Sequence, residues 1–249
     1  MKLNFFDCHC MVGKRADRRD SEPWQIESLI KDMTDYDIKD ALTVHALSRD
    51  YSPLEGNNTI VEIHCQYPQI QPVWAVLPPD TDELQKPDIL IEKFFSNNVK
   101  AFIAYPKRHN FSLADWSMGS LLSLMNIHHI PLIIEYNETS WPEVYNLCQA
   151  YPKIPVIITY LNYRHLRYLL PLWKSCKNLY VDISWFSVSS GLEFLSQIGL
   201  IGQVLFGSHY PAYSHSGAIS MVTYSGLNNS DKKKVAGDTL REILSATRI

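Results

Sequence analysis

Eight short apolar runs, each followed by a longer segment of mixed polarity, set the pattern of this chain, and few folds accept that pattern. The runs are Leu3–His9, Lys39–His45, Ile70–Leu77, Val99–Tyr105, Pro131–Tyr136, Pro155–Tyr160, Leu179–Ser184 and Gln203–Ser208. Stretches such as Pro131-Leu132-Ile133-Ile134 and Ile154-Pro155-Val156-Ile157-Ile158 are apolar without alternation, as suits strands covered on both faces. Between the runs the spacing predicts helices over Trp24–Tyr36, Asn57–Tyr67, Ile89–Asn97, Leu113–His129, Trp141–Tyr151, Tyr163–Cys176 and Val188–Gly199. A last helix, Ser230–Ala246, closes the chain with Ser230 as its N-cap. Strand-helix alternation requires a parallel sheet with crossover helices. Eight such units in 249 residues, near the ~250 typical of the fold, predict an α/β protein: a single-domain TIM-type (β/α)8 barrel over residues 1–249.

Composition narrows the partners. With 46% hydrophobic and 20% charged residues and a net charge of -3, the chain is no polyelectrolyte, and nucleic acid is not expected to bind it. No apolar run approaches the roughly 20 residues of a membrane helix, and Met1-Lys2-Leu3-Asn4 reaches Asp7 too soon for a signal peptide. Five cysteines, an odd number without framework spacing, suggest reduced thiols and a cytoplasmic setting. Fourteen tyrosines and six tryptophans would allow a homodimer interface, but no feature chooses between dimer and monomer.

A barrel of this kind carries its site at the C-terminal strand ends. Those ends hold His9 and Met11, His45, Glu135, Tyr160, Asp182 with Ser184, and His209. Alternation along the first strand sends Asp7, His9 and Met11 to one face, and Cys8 and Cys10 to the other, against the helices as inert thiols. His9 is a ready metal donor, whereas the thioether of Met11 suits Cu(I) better than Zn or Mn.

These ends carry a family resemblance. Asp7-Cys8-His9 matches the opening of the Asp-x-His-x-His strand of the amidohydrolase superfamily, amidohydrolase-2 type, and Leu205-Phe206-Gly207-Ser208-His209-Tyr210-Pro211 is similar to its Leu-Phe-Gly-Ser-Asp-x-Pro. Gly56-Asn57-Asn58 with Tyr67-Pro68, Val99-Lys100-Ala101-Phe102 and Ile130-Pro131-Leu132-Ile133-Ile134-Glu135 extend the likeness through nearly the whole chain. The resemblance implies a divalent-metal hydrolase or decarboxylase. Carried over by position, its ligand sites fall on His9, Met11, Glu135, Tyr160 and His209, of which only His9 is kept; Ile103 stands where many relatives have a basic residue.

Two readings follow. In the first, His9, Glu135 and His209 form a His₂Glu zinc set with a position open for water, whose pKa would drop to about 7. Glu135, His209 and Asp182, the nearest candidate base, then carry catalysis, with Tyr160 orienting the substrate. The protein would be a hydrolase, or alternatively a decarboxylase, of a small carboxylated compound. In the second, no metal binds, Met11, Ile103 and Tyr160 fill the mouth, Glu135 pairs with His209, and a catalytically silent barrel binds a metabolite or a partner protein. Either reading admits a small anionic ligand: Arg15 after strand one and Lys107 and Arg108 after strand four present cations, and His45 stands at a strand end. The sequence contains neither a Walker loop nor a dinucleotide glycine fingerprint nor a nucleophile elbow.

Overall fold

The computed structural model describes residues 2–248. Its elements run in the order β1 (Phe5–Val12), α1 (Ile26–Asp35), β2 (Ile38–His45), α2 (Ala46–Asp50), α3 (Pro53–Gln66), β3 (Ile70–Ala75), α4 (Pro87–Ser96), β4 (Ala101–Ala104) and α5 (Asp115–His128). There follow β5 (Leu132–Glu135), α6 (Trp141–Ala150), β6 (Val156–Thr159), α7 (Leu166–Ser175), β7 (Leu179–Asp182), α8 (Gly191–Gln197), β8 (Val204–Leu205), α9 (His215–Thr223), α10 (Asn229–Lys233) and α11 (Thr239–Ser245). All eight expected strands are present, and each pairs in parallel with the next from β1 to β8. The fold is therefore the (β/α)8 barrel that the apolar runs required.

Closure depends on a short seam. β8 is regular over two residues only, and its continuation is fixed to β1 by Cys8 N–H donating to Phe206 O at 2.9 Å and Met11 N–H to Tyr210 O at 2.8 Å. The buried Asp7 carboxylate adds to the seam by accepting the Ser208 amide at 3.1 and 3.2 Å.

The faces of β1 depart from the expected alternation. Its pairing with β2 shifts register between Asp7 and Cys10, a β-bulge that inserts an extra residue and breaks the period of two. Phe6, Cys8 and Met11 consequently pack inside the barrel with Leu42, Val44, Ile103 and Ile133, while Phe5, Cys10 and Val12 face the helices. Asp7 lies on the same side as Cys10, not with His9 and Met11, and Cys8 points inward rather than at a helix.

The outer layer is amphipathic helix on apolar sheet. α1 buries Leu29 and Met33 and α5 buries Met118, Leu121, Leu122 and Met125, each set spaced at three and four residues. Three parts of the helical layer differ from expectation. The terminal segment divides into α10, a wider turn over Lys234–Asp238 and α11, and its N-cap is Asn228, whose side chain accepts the Asp231 amide, rather than Ser230. α2 and α9 were not expected, and both bear on the site. No described helix is long and apolar enough to cross a membrane, and all five cysteines are free thiols.

Candidate functional site

His9 leaves the bulge of β1 pointing into the barrel mouth, and its ring stands between the two other residues expected to meet it. Nδ1 lies 3.1 Å from His209 Nδ1, and Nε2 lies 3.9 Å from Glu135 Oε1. His9 and Glu135 are buried, and His209 is partly so. Tyr160 lies flat on His209, ring centroids 4.7 Å apart, and Trp185 covers its other face at 4.6 Å, with the Tyr160 hydroxyl 3.3 Å from that of Tyr213. Tyr160 and His209 both adopt left-handed backbone (φ 65° and 58°), an unfavourable state for residues with a Cβ; Tyr160 directly follows β6, and His209 lies beyond the end of β8.

Burial governs the protonation states. It pushes the Glu135 carboxyl up to about 7, against the opposing charge of Arg49. It holds His9 well below the usual imidazole range, with His209, Arg49 and Arg15 adding to the effect, and brings His209 down to about 4, with Arg15 and Arg49 as the further causes. At neutral pH the two imidazoles are therefore uncharged, and Glu135 is poised between acid and carboxylate.

The three residues expected to hold an ion do not converge on one point. His9 spends one nitrogen on His209 and turns the other to Glu135, so a cation placed between His9 and Glu135 would have two protein ligands rather than the three of a catalytic zinc site. Met11 is buried within the barrel and contributes no hard donor. As placed, His9, Glu135 and His209 do not form the three-ligand zinc site expected of them.

The other expected site residues have identifiable partners. Asp182 Oδ1 accepts the Tyr160 amide at 3.1 Å, while Oδ2 is buried and unpaired; burial pushes this carboxyl up to about 7. His45 Nδ1 caps α2 by accepting the Leu47 amide at 3.2 Å, and its ring packs on Gly13, whose φ of 89° and missing side chain leave room for it. Arg15 is forked on Glu22 at 2.6 and 2.8 Å. Arg108 reaches Asp50 at 2.9 Å and Asp17 at 3.4 Å, and Lys107 Nζ donates to the carbonyls of Asn137 and Thr139. As free cations for an anion, Arg15, Lys107 and Arg108 are therefore superseded: these groups tie the loops to each other.

The residue missed from sequence is Arg49. It sits at 5% exposure in α2, where its Nη atoms bind Asp17 at 2.9 and 3.1 Å and Asp50 at 2.9 Å, leaving Nε buried and without a partner. Tyr105, just past β4, likewise has a buried hydroxyl with no partner, and the nearby Glu135 helps burial raise its pKa. Inspection of strand ends alone passes over both, because one lies in a helix and the other follows an apolar run. Together with His9 Nε2 they are unpaired buried polar groups within electrostatic reach of Glu135.

Comparison with solved structures gives a consistent answer. The fold is that of the amidohydrolase-2 barrels. It matches an uncharacterised TIM-barrel protein from Bordetella bronchiseptica (TM-score 0.78, 13% identity, 98% of this chain and 99% of that one). It also matches 5-carboxyvanillate decarboxylase from Sphingomonas paucimobilis (0.74, 10%, 98% and 99%) and an amidohydrolase II protein (0.71, 14%, 97% and 100%). At these identities the likeness shows the fold alone. No family model and no curated protein matches the sequence.

Proposed function

We propose that this amidohydrolase-type barrel takes a small carboxylated compound at its mouth and does so without a metal ion. The observation that carries the reading is the set of buried groups lacking partners around Glu135: Arg49 Nε, Tyr105 OH and His9 Nε2. A buried donor without an acceptor costs on the order of 1–3 kcal/mol, and a carboxylate supplies acceptors for several at once. The buried Arg49 guanidinium, close enough to act on Glu135, would make the charge-assisted bond that a carboxylate accepts best. The carboxylated aromatic named for the Sphingomonas decarboxylase is the substrate class to try first.

Glu135 governs the pH range of binding. Protonated, it donates to the ligand; ionised, it repels it. Its value of about 7 also suits it to general acid–base work at neutral pH. The free thiols support a reducing, cytoplasmic setting. A hydrolase using an ion at His9 and Glu135 is the second reading, favoured by the 3.9 Å between His9 Nε2 and Glu135 Oε1, a few tenths of an ångström more than two donors on one tetrahedral ion.

Calorimetric titration with hydroxybenzoates in buffer free of added divalent ions tests the proposal. Saturable binding is expected that weakens above pH 7 in the native protein and loses that pH dependence in Glu135→Gln. Absence of binding at every pH, or binding that appears only with added metal, would reject it.

A further inference from the structure

Behind the mouth, on the helix-facing side of β1, Asp7, Cys10 and His215 form a second cluster that the mouth chemistry does not use. All three are buried, and one ligand atom from each lies within 4.8 Å of the others. His215 Nε2 stands 3.5 Å from Asp7 Oδ2 and 3.9 Å from Cys10 Sγ. The first separation is longer than the 2.7–3.2 Å of a good N–H···O hydrogen bond. Donors on one tetrahedral zinc ion would stand about 3.4–3.6 Å apart, so both separations lie within a few tenths of an ångström of a shared ion. The opposite nitrogen, Nδ1, has no hydrogen-bond partner and faces Asp32 Oδ2 at 3.8 Å, the order in which a carboxylate orients a metal-bound imidazole.

We propose that Asp7, Cys10 and His215 bind one zinc ion that joins the start of α9 to the first strand. Binding would release the Cys10 proton, since the thiolate is the ligand. The ion would also steady the mouth, because Asp7 accepts the amides of both His9 and Ser208. This site is independent of the reading given for the mouth.

Zinc per chain, measured by plasma mass spectrometry after exposure to zinc and desalting, tests it in the native protein, Cys10→Ser, Asp32→Asn and Glu135→Gln. One ion is expected in the native protein and in Glu135→Gln, none in Cys10→Ser, and an affinity tenfold or more lower in Asp32→Asn. The cobalt-loaded protein should show a thiolate charge-transfer band that Cys10→Ser lacks. Should Cys10→Ser fail to fold, the partly exposed Asp32 supplies the milder variant. Failure of the native protein to hold zinc, or zinc retained equally by Cys10→Ser and Asp32→Asn, would overturn the site. Zinc lost in Glu135→Gln alone would instead place the ion at the mouth and reject both proposals.

Discussion

Glu135 shows how burial at one residue sets a pH dependence. Its carboxyl rises from an ordinary 4.5 to about 7, so the folded chain keeps a proton that the unfolded chain releases. Its contribution to stability is therefore full below 4.5, falls between 4.5 and 7, and is flat above. Asp182 acts in the same sense between 3.8 and about 7. His209 acts in the opposite sense: buried as the neutral base, its contribution is present above 6.5 and is lost as pH falls toward 4. Glu135→Gln removes only the first of these. The variant should be more stable than the native protein at pH 8, by up to about 3 kcal/mol, and should match it near pH 4. Urea denaturation at the two pH values checks this, and an equal difference at both would show that Glu135 is not held protonated by burial.

The seam between β1 and β8 decides what the mouth contains. A Cβ on Gly207 would fall 2.8 Å from Asp182 Oδ2 and 2.9 Å from Cys8 Sγ, inside a packed layer. Gly207→Ala should lower the urea midpoint by the equivalent of about 1–3 kcal/mol with an unchanged slope. An unaffected midpoint would mean that the layer has slack. This seam also marks the limit of what the sequence discloses. The eight apolar runs are legible because short continuous apolar stretches suit strands covered on both faces, and Glu135, His9 and His209 are legible as strand-end polar residues. The bulge is not, because an inserted residue leaves Asp7-Cys8-His9-Cys10-Met11 looking like an ordinary alternating strand. Simple alternation therefore assigns Asp7 and Cys8 to the opposite faces and hides the Asp7, Cys10, His215 cluster. Arg49 escaped for a related reason: it is brought to the mouth by a five-residue helix that no periodicity announces.

At the scale of the molecule, the charged loops hold the rim together instead of waiting for a ligand. Asp50 has a fully buried side chain and accepts from Arg49, Arg108 and the Ala16 amide, each at 2.8–2.9 Å, so it joins the loops after β1, β2 and β4. Glu138, following β5, accepts the Lys107 and Arg108 amides and adds a fourth. Asp50→Ala should cost about 2–4 kcal/mol in urea denaturation, because it strips a buried partner from Arg49, whereas removal of an exposed pair such as Lys31 with Asp35 should leave the midpoint nearly unchanged. A network that locks the rim while leaving the inner donors unpaired agrees with the proposed metal-free reading. Anomalous diffraction at the zinc edge, from crystals of the native protein grown with zinc, tests that claim most directly. The account predicts no peak between His9 and Glu135, and a peak between those two side chains would contradict it.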